Sequence, residues 1–70
     1  MIPVIIEHQS IRNDKASIRI IVTSLPSVPQ IGSYIKFHES NELETMKVDK
    51  IEYCLDEEKK FKSIRISNLI

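Results

Sequence analysis

Apolar and polar side chains alternate along most of this chain, and a period of two is the signature of strands with one face buried. In Ile2–His8 the residues Ile2, Val4, Ile6 and His8 share one face, with Pro3, Ile5 and Glu7 on the other. Ala16–Leu25 sets Ile18, Ile20 and Val22 against Arg19, Ile21 and Thr23. From Tyr34 onward, Ile35 and Phe37 oppose Tyr34, Lys36 and His38. Thr45–Leu55 carries Met46 and Val48 and then changes parity to Ile51, Tyr53 and Leu55, as a β-bulge near Asp49-Lys50 would produce. Phe61–Leu69 turns Ile64 and Ile66 inward and Ser63, Arg65 and Ser67 outward. Five strands are predicted.

The punctuation between them is uneven. Asn13-Asp14 suits a turn, and Asp56–Lys60 is a charged one. Leu25–Phe37 holds two of the three prolines and the only glycine, Gly32, so the backbone redirects there, with room for a short helical turn near Ser27–Gln30. The chain divides into an N-terminal hairpin (1–25), a Pro/Gly hinge (26–33) and a three-strand meander (34–70) with a polar loop at His38–Glu44, all in a single domain. Pro3 lacks an N–H, which assigns the first strand to a sheet edge. Pairing the first two strands about Asn13 sets Ile6 against Ile20 and Val4 against Val22, both inward. It leaves Ile5 facing Ile21 on the outside, an apolar pair of the kind that marks a partner surface.

One segment supports a second reading. Asn41 with Glu44 three residues later has the form of a helix cap, and good helix formers follow without Gly or Pro. A helix over 42–58 would make the fold α+β. Its apolar residues, however, would spread over more than half the helix surface, whereas as strands they sort onto one face. The expected core is Val4, Ile6, Ile18, Ile20, Val22, Ile31, Ile35, Phe37, Val48, Ile51, Tyr53, Ile64 and Ile66.

Seventy residues bury only about 60% of the surface that the unfolded chain exposes, so stability needs good packing or a second chain. Cys54 is alone, which excludes an intramolecular disulfide and fits a reducing compartment. Ten basic and ten acidic residues give a net charge of zero, without the excess of Lys and Arg that phosphate binding favours. No apolar run reaches the ~20 residues of a membrane helix, and the N-terminus lacks the basic start and cleavage site of a signal peptide. The expectation is a cytoplasmic protein without membrane contact.

The segment Pro29-Gln30-Ile31-Gly32-Ser33-Tyr34-Ile35-Lys36-Phe37, followed by Met46-Lys47-Val48 and Ile51-Glu52-Tyr53, resembles small SH3-like β-barrel proteins. It departs from their pattern at Ser33, where an acidic residue commonly follows the glycine, and in the long loop His38–Glu44. The resemblance implies a five-stranded antiparallel barrel, of bacterial, phage or mobile-element origin, and no particular activity.

Catalytic patterns are absent: no serine sits on a Gly-x-Ser-x-Gly elbow, and one glycine cannot build a phosphate loop. His8 and His38 lie on different strands, and Glu42/Glu44 and Asp56/Glu57/Glu58 read as solvated turns. No cofactor or metal is expected, and the chain reads as a non-enzyme. Binding is the better class. A protein partner, or a second copy in a homodimer, would use an open strand edge or the Ile5/Ile21 side. The second reading is a single-stranded nucleic acid on Tyr34, Lys36 and His38, with Lys47 and Arg65 beside them across the sheet.

Overall fold

The computed structural model describes residues Met1–Ile70. Six strands form two sheets: β1 (Ile2–Arg12), β2 (Lys15–Leu25), β3 (Tyr34–Glu39), β4 (Glu42–Lys47), β5 (Lys50–Leu55) and β6 (Phe61–Ser67). One sheet runs β2-β1-β6-β5, with β1 and β6 parallel at its centre and an antiparallel strand on either side. The other is the β3-β4 hairpin. The fold is all-β, as the alternation demands. It has six strands rather than five, and the sheets are not closed into a barrel. The helix over 42–58 is replaced by β4 and β5, because the burial of Met46 and Val48 two residues apart outweighs the helix-forming composition.

Two tight turns set hairpin registers, and a third redirects the chain between β2 and β3. Asn13 and Asp14 both have positive φ (52° and 61°), so the β1–β2 connection is a two-residue hairpin turn flanked by the pair Arg12 and Lys15. Ser40 and Asn41 (φ 49° and 66°) do the same between β3 and β4, where a longer polar loop was expected. Gly32, at φ 91°, closes a turn in which the Ser33 N–H donates to the Gln30 carbonyl at 3.1 Å. A Cβ on Gly32 would meet nothing within 4 Å, so glycine serves the dihedral here and not the space. Residues 26–30 are bends and irregular chain, without the helical turn expected near Ser27–Gln30.

The first turn overturns the expected pairing. A two-residue loop puts Ile6 opposite Ile21, Ile5 opposite Val22 and Val4 opposite Thr23, one residue away from a pivot on Asn13. A slip of one residue exchanges the two faces of a strand. Ile21 therefore packs against the core, while Ile18, Ile20 and Val22 lie outside at 65%, 62% and 78% exposure. Pro3 is also resolved differently. Its strand, β1, is central, but pairing with β6 begins only at Val4, so the missing N–H leaves no gap in a ladder.

The core lies between the two sheets. Val4, Ile6, Ile64 and Ile66 on the inner face of the four-stranded sheet meet Met46 and Val48, and all six are buried. Ile2, Ile21, Leu25, Val28, Ile35, Phe37 and Ile51 are half-buried around them. The parity change between Val48 and Ile51 has its cause at a corner, where the chain leaves β4 and enters β5 in the other sheet. The Val48 N–H still donates to Ser33 at 2.8 Å, and the next N–H, of Asp49, donates to Ser67 at 3.0 Å. The register shift that the ladder does contain lies later, between Cys54 and Leu55. Ile31 is exposed because it sits in the Gly32 turn, and Tyr53 because β5 is an outer strand.

Away from the apolar centre, ion pairs take over between the sheets. Arg12 and Arg19 on the β1–β2 hairpin pair with Glu44 and Glu39 near the tip of the β3–β4 hairpin. His8 is buried edge-on against Phe37, with ring centroids 5.3 Å apart. At the C-terminus the Asn68 side chain extends β6: its Oδ1 accepts from the Gln9 N–H and its Nδ2 donates to the Gln9 carbonyl, both at 2.8 Å. None of the elements is a helix long and apolar enough to cross a membrane.

Candidate functional site

The residues singled out from the sequence fall into two groups on different sheets. Tyr34, Lys36 and His38 are exposed along one side of β3, and Lys47 stands opposite Tyr34 on β4. These four share a solvent face. Leu43, opposite His38, interrupts it with an exposed apolar side chain. Arg65 is elsewhere. It lies on β6 opposite Ile5, forms an ion pair with Glu7 at 3.3 Å, and has Glu52 as its β5 neighbour. The structure does not bring it to the Tyr34 group.

Ile5 and Ile21 are separated by the register of the hairpin. Ile5 is half-buried on the outer face beside Val22, whereas Ile21 is turned to the core. The outer apolar surface is made instead by Ile18, Ile20 and Val22, which the sequence reading placed inside. The signal that locates them is the dipeptide Asn13-Asp14. Both residue types tolerate positive φ, and a two-residue loop dictates which face of β2 joins the core.

These three residues lie on β2, one of the two outer strands of the sheet. β2 runs 11 residues without a proline or a bulge and has a neighbour only on its β1 side. The turn also determines where its backbone groups aim. The pair flanking a two-residue turn is hydrogen-bonded, and bonded and non-bonded pairs alternate from there. Lys15, Ser17, Arg19, Ile21 and Thr23 therefore bond β1, while Ala16, Ile18, Ile20, Val22 and Ser24 direct their N–H and C=O groups to the open side. The residues with free backbone groups are the ones carrying the exposed apolar side chains.

Other chemistry is sparse. His8 is buried, His38 is exposed on the opposite sheet, and Cys54 is half-buried on β5. Asp56 is occupied within its own turn, where one carboxylate oxygen accepts from the N–H groups of Glu58 and Lys60 at 2.9 Å each. No cavity is present, and no three His, Cys, Asp or Glu side chains are grouped to hold a metal ion. Comparison with protein-family models, curated proteins and solved structures finds no match.

Proposed function

We propose that the chain is a non-catalytic protein-binding module of the cytoplasm, and that it binds by adding a partner strand to the open side of β2. One observation carries this reading: the longest outer strand of the sheet presents unpaired backbone groups and the exposed side chains Ile18, Ile20 and Val22 together. A strand docked there gains ladder hydrogen bonds, and its alternate side chains lie beside the apolar row. The direct test uses an 11-residue peptide with valine on one face and threonine and glutamate on the other, titrated into isotopically labelled protein. Amide shifts should concentrate on Ala16, Ile18, Ile20, Val22 and Ser24. Shifts centred on β5, or none at saturating peptide, would overturn the reading.

A second reading is favoured by a separate observation, the exposed face shared by Tyr34, Lys36, His38 and Lys47. An aromatic ring flanked by cations is what a single-stranded nucleic acid requires. It predicts binding that weakens steeply with salt and is lost in Tyr34→Ala and Lys36→Ala. Salt-insensitive binding, or none to any single strand, removes it. The bacterial, phage or mobile-element origin suggested by the sequence is a proposal of the same kind.

A further inference from the structure

Resting on the strand-addition reading, we infer that the strand β2 accepts is β2 of a second copy, antiparallel and related by a two-fold axis at Ile20. The backbone groups permit this register. The residues facing the open side are the even-numbered ones, and a two-fold at Ile20 sets even against even: Ile20 on Ile20, Ile18 on Val22, Ala16 on Ser24. Each such pair exchanges two hydrogen bonds.

The side chains permit it as well. The apolar row Ile18, Ile20, Val22 is symmetric about its centre, so the two rows meet in line and each side chain is flanked on its open side by another β-branched one. On the inner face Ser17 meets Thr23, a hydroxyl pair of the kind that stabilises sheets. The two cations of β2 never oppose each other: Arg19 falls opposite Ile21 and Lys15 opposite Leu25, and Arg19 is already neutralised by Glu39. A strand paired with itself in other registers brings Arg19 against Arg19 or apolar residues against polar ones.

The size of the seam indicates the strength. Eleven residues at about 3.3 Å each, in a sheet about 10 Å thick, give a section on the order of 350 Å² per protomer, below the roughly 800 Å² of a standard interface. The dimer is a weak one held mainly by its ladder, and it joins two four-stranded sheets into one of eight.

Sedimentation of the full chain from micromolar to millimolar concentration tests the proposal, with Ile20→Pro as the diagnostic variant. The Ile20 N–H aims away from β1, so the proline spares the internal ladder and is tolerated on an outer strand. Wild type should dimerise reversibly and Ile20→Pro should stay monomeric with an unchanged circular dichroism spectrum. If that variant does not fold, Ile20→Lys serves in its place. The register is read by cross-linking in a Cys54→Ser background. Ile20→Cys should form an interchain disulfide across about 5.5 Å between Cα atoms, and Ser24→Cys, about 27 Å from its counterpart at strand spacing, should not. A chain monomeric throughout overturns self-pairing, as does a dimer unaffected at Ile20 or cross-linked equally at both positions. If the monomeric chain still takes up the alternating peptide on β2, self-pairing alone fails. If it takes up nothing, the strand-addition reading falls with it.

Discussion

The two outer strands of the four-stranded sheet are built differently. β5 is six residues long, carries Lys50 and Glu52 on its outward face and contains a register shift between Cys54 and Leu55. Short length, charge and irregularity are the means by which sheets keep other strands away. β2 is neither short nor irregular over its 11 residues, and its outer face carries no charge. Its cations are confined to the inner face, where Arg19 is tied to Glu39, and its outer face is Ile18, Ile20 and Val22. A sheet that protects one edge and leaves the other open is polarised for association, and this contrast is the basis of the function proposed.

The largest perturbation should act beneath both edges. Ile66→Ala empties a fully buried position and should cost about 2–5 kcal/mol, against a total of roughly 4–10 kcal/mol for a chain of this size. Urea denaturation should show both edges lost in one transition; loss of β5 alone would separate the regions energetically. Asp14→Val comes next, because a β-branched residue is forced to φ 61° at a cost of about 1–2 kcal/mol. Amide exchange should quicken in β2 and stay unchanged in β5, and equal acceleration would mean that the turn does not hold β2 separately. Arg12→Ala removes the 2.8 Å pair with Glu44, whose arginine side chain is 62% exposed. The expected loss is about 0.2–1 kcal/mol at low salt, vanishing at high salt. Smallest for stability is the pair Lys50→Val and Glu52→Val, expected within about 0.5 kcal/mol. Its effect should be on association, since a second edge loses its charges. If light scattering detects no new oligomer, the register shift near Cys54 and not the charge keeps β5 silent.

How far these features could be read from the chain depends on whether they are local. The inward parity of Val4, Ile6, Ile64 and Ile66 needs only alternation, and it is what the structure contains. The parity change after Val48 was visible too, but alternation cannot distinguish a bulge from a strand crossing between sheets. The face of β2 was misassigned because both of its faces hold isoleucine. Hydropathy alone is then nearly symmetric, and the choice passes to a turn in which one residue more or less inverts the outcome. Met46 escaped the expected core, and Tyr53 and Ile31 were wrongly included, because their burial depends on how two sheets meet. Of the candidate site, the grouping of Tyr34, Lys36 and His38 followed from strand parity, whereas Lys47 is set opposite Tyr34 by a hairpin turn shorter than the loop expected. Arg65 could not be placed, since its neighbours Ile5 and Glu7 come from a parallel pairing across nearly the whole chain.

Amide hydrogen exchange along β2, followed residue by residue by NMR at low and high protein concentration, tests the central claim most directly. In dilute solution Ser17, Arg19, Ile21 and Thr23 should exchange slowly and Ile18, Ile20 and Val22 quickly, the second set becoming protected as concentration rises. Protection of Ile18, Ile20 and Val22 in the dilute chain, with the odd-numbered amides free, would contradict the register and with it the open edge.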